Sequence, residues 1–267
     1  EERYTNQWIL HHSLIRKIED NLFNTEAIPV NKITVFSSAL GEKTSFLVKN
    51  NQLPRTLPSN WKVEKQDDGL FKVEVDGELS VLLPDTISSK VCSAGQLPTG
   101  FDPANLYQSR NHPRGLQLTV FAASDAVSSL GINWDEVKNR VPPDQISVYA
   151  SSAMGQLDSN GSGGLLQAAL QGRRTTSKNL PLGLAEMTAD FVNAYVLGNV
   201  GTTGANIGAC ATFLYNLRQG INDIKSGKYK VAIVGASEAP LTPEVIEGYR
   251  KMGALAEDEA LAKIDKI

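Results

Sequence analysis

One cysteine in this chain stands where a thiol could do chemistry. Cys210 follows the glycine-rich extended run "GTTGANIGA" and precedes a segment in which Leu214, Leu217, Ile221 and Ile224 recur at helical spacing. This places it at the first turn of a helix that reads as buried. A sulfur there faces backbone N–H groups without intrahelical partners and the positive end of the helix dipole, both of which favour the thiolate. The same N–H groups can hold an oxyanion. Gly204 and Gly208 let the backbone run close to other chain or to a substrate, and Ala209 and Ala211 leave room around the sulfur. An acyl-accepting cysteine is built this way. Cys92, in "KVCSAGQLP", has neither helix start nor charge beside it and is expected to be a buried, inert thiol.

Other motifs carry less. "GASEA" after a strand has the outline of a hydrolase nucleophile elbow centred on Ser237, but Pro240 and Pro243 oppose a helix directly after it, and no histidine follows to complete a triad. "SNGSGG", from Ser159 to Gly164, lacks the Lys-Ser/Thr of a phosphate-cradling loop and reads as a flexible turn before a helix. His112, before a proline in a loop, is expected to be a hydrogen-bonding surface or hinge residue. The flanks of the two cysteines show no metal-ligand spacing, so neither metal nor cofactor is expected.

The elements that must position Cys210 are legible from periodicity. Leu116, Val120, Ala123, Val127 and Leu130 mark one face of a helix, with Gly131 where a C-cap glycine belongs. "ISVYASSAMG" from Ile146 reads as a strand running into small residues, a further helical segment spans Leu184 to Leu197, and "YKVAIVGA" is a buried strand. Strands alternating with helices imply a mainly parallel, layered α/β sheet. The first part differs. A helix is expected from Arg3 to Asn24, on the spacing of Ile9, Leu14, Ile15, Ile18 and Leu22. Then come the short β-like segments "KITVFSS", "TSFLVKN", "WKVEKQ", "LFKVEV" and "LSVLLP", with hairpin turns expected at Asp68-Gly69 and Asp76-Gly77. An irregular connection follows, from Ser93 to Gly115.

Composition bounds the partners. With 26 basic and 29 acidic residues the formal charge is −3, so no global field draws the chain to nucleic acid or an anionic membrane. No apolar run approaches the roughly 18 residues of a membrane span. Two cysteines are too few for a disulfide framework, and a soluble protein of the cytoplasm is expected.

"GANIGACAT", an amphipathic helix and "SGKYKVAIVGASEAPLTP" together resemble the nucleophile segment of the β-ketoacyl-[acyl carrier protein] synthases. "NHPRGLQLTVFAASDAVSSLGI" and "ISVYASSAMGQL" extend the resemblance upstream, so that it covers Gln96 to Glu257. The β-rich insert points to a longer bacterial subtype. The resemblance implies a thiolase-like layered α/β/α fold, of which this chain is expected to hold the first half only. The division implied is 1–95 for an N-terminal helix and β-rich insertion and 96–267 for the N-terminal half of the ketosynthase core. It also implies a fatty-acid chemistry: Cys210 takes an acyl group from a thioester, and the carbanion left when malonyl-acyl carrier protein loses CO2 attacks it. The implied partners are acyl carrier protein, acyl and malonyl thioesters, and a second copy of the chain in a homodimer paired through the strand before the cysteine.

Within that resemblance Met154 falls beside the acyl channel, as a pocket-lining or simply a core residue, and Phe213 takes a position commonly small, where its ring either shortens the acyl pocket or fills core. Glu238 matches a glutamate with a structural hydrogen-bonding role. The chain departs from the family pattern in two respects. His11, His12 and His112 all precede Cys210, whereas the family's catalytic histidines follow it, and the family's opening strand is missing. The chain by itself is therefore expected to lack those histidines. Two other readings stay open: a catalytically silent or docking module of the same fold, which the presence of Cys210 disfavours, and a biosynthetic thiolase using the same cysteine with a coenzyme A acceptor.

Overall fold

A computed structural model describes residues 8, 12–37, 43–109, 111–238 and 241–264. Contacts divide the chain into a unit of Glu26–Ser89 and a larger unit of Glu1–Thr25 with Lys90–Ile267. The division expected at residue 95 therefore moves to 89, and the N-terminal segment joins the larger unit.

The Glu26–Ser89 unit is all β. Strands β2 (Ile28–Ser37) and β6 (Glu78–Ile87) pair antiparallel along their whole length. Strands β3 (Thr44–Val48), β5 (Phe71–Val75) and β4 (Trp61–Lys65) form a three-stranded antiparallel sheet with β5 in the middle. All five expected strands are present. Val73, Val75 and Leu79 make a small core with Phe46, Trp61 and Val63, in which the Phe46 and Trp61 rings meet edge to face at 5.6 Å. Asp68-Gly69 closes the β4–β5 hairpin: Gly69 has φ 81°, and the Asp68 carboxylate accepts from the Leu70 N–H at 3.0 Å. Asp76-Gly77 is a turn but not a hairpin, because β5 and β6 belong to different sheets.

In the larger unit the helix expected over residues 3–24 is present at Trp8, His12 and Ser13 and is corrected beyond them. Ile15–Lys17 forms strand β1, antiparallel to β7 (Ser93–Gly95). The apolar spacing fits a helix, but Leu14 has φ 57°, which a continuous helix cannot accommodate, and the backbone groups of β1 bond to β7 instead. Residues 3–7 and 9–11 of that expectation lie outside the described residues.

The centre of this unit is a parallel sheet ordered β10 (Val231–Ala236), β8 (Ile146–Ser151), β9 (Thr202–Gly204). The alternation expected of strands and helices is there. Every residue of β8 is buried, and its two faces differ. Ile146, Val148 and Ala150 pack with Ala189 and Val192 of helix α4 (Met187–Val192) and with Ala123 and Val127 of α1 (Arg114–Ser129). On the alternate side Tyr149 and Ser151 bond to helix α5 (Thr212–Lys225): the Tyr149 hydroxyl donates to Asp223 Oδ2 at 2.7 Å, and Ser151 Oγ accepts from the Asn216 side chain. Between these elements lie α2 (Trp134–Arg140) and α3 (Ser162–Ala168); α6 (Pro243–Lys251) and α7 (Asp258–Ile264) follow. Helix α1 ends at a glycine as expected, with Gly131 at φ 64°.

Helix α5 is the second correction. Its inward face is Thr212, Asn216, Gly220 and Asp223, all buried. The apolar stripe is turned outward, with Leu214 62% and Ile221 43% exposed. Gly220 lets the helix lie close on β10, since a Cβ there would stand 2.6 Å from Val234 Cγ1.

Candidate active site

The parallel strands β8, β9 and β10 all end on one side of the sheet, where loops from different strands converge. Beyond β9 the chain runs through residues 205–209 to a turn of 3-10 helix, Ala209–Ala211, that feeds α5. Cys210 is the middle residue of that turn and is exposed. It therefore precedes the α-helix proper rather than lying in its first turn.

The corner is held in a conformation that chains avoid. Ala209 has φ 47°, in the left-handed region, which costs a residue with a Cβ about 1–2 kcal/mol. Local bonds keep it there. Thr212 Oγ1 accepts from the Gly208 N–H at 3.1 Å and donates to the Ala209 carbonyl at 2.7 Å, while the Ala211 N–H donates to the Gly208 carbonyl at 2.9 Å. Gly208 leaves room for the Tyr215 ring, which lies 2.0 Å from where a Cβ would be, so a larger residue there would have to displace that ring.

Cys210 opens on a cavity of 770 Å³. Its polar lining includes Glu238 and Arg114, and apolar walls come from Leu97, Leu118, Ile246 and others. Glu238 follows β10, and its carboxylate accepts from the N–H groups of Ala153 and Met154, the second at 3.1 Å. Those bonds tie the loop after β8 to the end of β10, the structural role expected of it.

Met154 is half-buried, and Phe213 is exposed one helical turn beyond Cys210; neither side chain lines this cavity. Cys92 is half-buried, and its N–H donates to Asp258 Oδ1 at 3.3 Å. Ser237 donates to the Gly115 carbonyl at 2.8 Å and shares a hydrogen bond with Thr119 Oγ1, so its hydroxyl is engaged in joining α1 to β10.

His112 differs from the surface or hinge residue expected. It is buried, with Nδ1 3.1 Å from the Tyr107 hydroxyl and its ring edge-on to Phe191 at 4.9 Å. That burial, reinforced by the Lys178 charge, pushes its pKa below the usual imidazole range. It lines a separate cavity of 330 Å³ with Asp158, whose carboxyl burial pushes upward although the Arg114 N–H donates to it at 2.6 Å. His12 Nδ1 bonds to the Trp8 carbonyl at 2.8 Å, and His11 lies outside the described residues. His112 and His12 are thus absent from the lining of the Cys210 cavity. Among the described residues no three His, Cys, Asp or Glu side chains come together to hold a metal ion. Nor is any single helix among them long and apolar enough to cross a membrane.

The left-handed Ala209 and the cap made by Thr212 are the parts of the site that the sequence reading missed. The sequence did hold one signal for the inner face of α5: Thr212, Asn216, Gly220 and Asp223 recur at helical spacing, as the apolar stripe does.

Comparison with known proteins agrees with this fold. Residues 44–266 match the family model for the N-terminal domain of β-ketoacyl synthases. The β-ketoacyl-[acyl-carrier-protein] synthase FabY of Pseudomonas aeruginosa is 48% identical over 99% of this chain, which spans 42% of that relative's length. The crystal structure of the noncanonical ketosynthase FabY from P. aeruginosa superposes with a TM-score of 0.91, over 97% of this chain and 41% of the other. A fatty acid synthase alpha subunit of Gibberella zeae is 25% identical over 98% of this chain and 17% of its own. The chain therefore belongs to the β-ketoacyl synthase family, with the thiolase-like α/β fold of its N-terminal domain.

Proposed function

We propose that this chain supplies the nucleophile of a decarboxylating Claisen condensation between an acyl thioester and malonyl-acyl carrier protein in fatty-acid synthesis. The observation that carries this reading is Cys210, exposed on its strained corner at the mouth of a largely apolar cavity. The Cys210 sulfur attacks the thioester carbonyl, the carbonyl oxygen becomes an oxyanion beside the N–H groups at the start of α5, and the carrier thiol leaves. Malonyl thioester then loses CO2, its enolate carbon bonds to the acyl carbon, and the C–S bond breaks to return the Cys210 thiolate. Of the rival readings, the cysteine counts against a silent module, and the match to carrier-protein-dependent synthases counts against a thiolase.

Met154 and Phe213 belong to this proposal as shapers of the acyl channel from outside the cavity lining, in which neither side chain takes part. Met154 is held by the same glutamate that lines the cavity, and Phe213 is the next residue but two after the nucleophile. Acyl carrier protein as partner, a cytoplasmic setting for the two free cysteines, and a homodimer are parts of the same reading. For the dimer, β9 lies at the edge of the sheet among the described strands, and its Thr and Gly residues suit close pairing across a two-fold axis. Ala205→Arg is expected to turn dimers into monomers or aggregate in light scattering; an unchanged dimer places the interface elsewhere. The reaction itself is tested by incubating the protein with a radiolabelled acyl thioester. Label is expected on the peptide containing Cys210 and its complete loss in Cys210→Ala, whereas label retained in that variant overturns the assignment.

A further inference from the structure

Asn216 lies six residues after Cys210 on the inward face of α5 and is wholly buried. A carboxamide offers two donors and two lone pairs, and here all are used. Its Oδ1 accepts from the Asn206 N–H and from Asn206 Nδ2, each at 3.1 Å. Its Nδ2 donates to Ser151 Oγ at 2.8 Å and to the Gly235 carbonyl at 2.9 Å. Ser151 Oγ in turn donates to the Asn206 carbonyl at 2.8 Å, closing a ring through the same backbone residue.

The partners come from the ends of β8 and β10 and from the loop after β9. Asn206 is four residues upstream of Cys210 and is gripped at its N–H, its carbonyl and its side chain. Between it and the sulfur lie only Ile207, Gly208 and the left-handed Ala209. The Thr212 cap fixes the near side of that corner, but it sits on the same short turn and cannot locate the turn relative to the sheet. That second task needs a group reaching from the helix to the strands.

We infer that Asn216 is a positioning residue for Cys210, clamping the 205–209 loop to the ends of β8 and β10 so that the sulfur is held at the mouth of its cavity. The chemistry of the clamp is specific to an amide. Asp keeps the shape and the acceptors but has no protons for Ser151 Oγ and the Gly235 carbonyl. Leu keeps the volume and makes none of the bonds.

This inference rests on the reading of Cys210 as the nucleophile. It is tested on the 267-residue chain with an acyl N-acetylcysteamine thioester, well below the thermal midpoint, following acylation of Cys210 by mass spectrometry. In Asn216→Asp and Asn216→Leu the acylation rate constant at saturating thioester is expected to fall about 10- to 100-fold, as for a reacting atom displaced by about 1 Å. The half-saturating concentration should change by less than about twofold, because binding in the cavity is untouched. A merely structural role lowers the thermal midpoint and leaves that rate constant unchanged in the folded protein; wild-type rates in either folded variant overturn the inference. Should neither variant fold, Asn206→Ala, which deletes one of the four bonds, is expected to slow acylation about threefold or more, and no slowing overturns the inference equally. Wild-type protein that takes no acyl group on Cys210 rejects the nucleophile reading itself, whereas equal rates in wild type and variants reject only the role of Asn216.

Discussion

The two faces of helix α5 reverse the usual arrangement of an amphipathic helix. The face turned to the sheet carries Thr212, Asn216, Gly220 and Asp223, and the face turned outward carries Phe213, Leu214, Ile221 and Ile224. Burial of the polar face is sustained by matching polar groups on β8. Tyr149 reaches Asp223, Ser151 reaches Asn216, and Gln219 Nε2 completes the second carboxylate oxygen of Asp223 at 3.1 Å. The other side of β8 is apolar and packs on α1 and α4 in the ordinary way. One strand therefore serves a dry interface and a hydrogen-bonded one. The hydrogen-bonded interface is the one that carries Cys210, and directional bonds locate a backbone better than contacts that slide.

Substitutions on the two faces of α5 should separate sharply. The largest effect is expected for Gly220→Leu, which drives a side chain into Val234 and should cost about 3 kcal/mol or more in denaturant unfolding, beyond anything helix propensity returns. Next is Tyr149→Phe, which leaves a buried Asp223 oxygen without its donor and should cost about 1–3 kcal/mol near neutral pH. This variant also has a pH signature. Burial, with the Asp223 bond and charge, pushes the Tyr149 pKa up to about 12, above its unfolded value near 10. A raised pKa stabilises the fold fully below the unfolded value, and that stability is lost as pH climbs from about 10 through about 12. Wild-type stability should fall across that window by more than that of Tyr149→Phe, and parallel curves would remove Tyr149 from the account. The smallest effect is expected outside. Leu214→Asp should change unfolding stability by no more than about 0.5 kcal/mol, since its side chain is largely exposed, and a loss of several kcal/mol would mean that the stripe is covered within this chain.

Periodicity revealed the stripe on α5 but not the side on which it lies, and this marks the general limit of the sequence reading. Which residues share a helical face follows from spacing, whereas which face is covered depends on what else is packed nearby. The same limit explains Ile15–Lys17, where helical spacing yields to antiparallel pairing with β7, and Asp76-Gly77, where a hairpin dipeptide joins strands of different sheets. Where local signals suffice the reading was fuller: the five β segments, the Gly131 cap and the alternation of strand and helix are all present. At the site, the small residues around Cys210 showed that a sulfur could be approached. The ring of bonds through Asn216 has no composition signature, since it arises from distant strand ends meeting in space, and the left-handed Ala209, held by bonds within its own turn, has none because alanine is not a residue type that marks a positive φ.

The conformation of Ala209 sets stability and the placement of the Cys210 sulfur against each other at a single position. Glycine there would adopt φ 47° without penalty and relieve about 1 kcal/mol of strain, so selection for heat resistance alone would favour it. The same glycine would let the corner wander among backbone states that alanine forbids, and the sulfur would spend less time facing the cavity. With alanine there, the corner is confined to fewer backbone states, and the strain of that confinement is set against melting temperature.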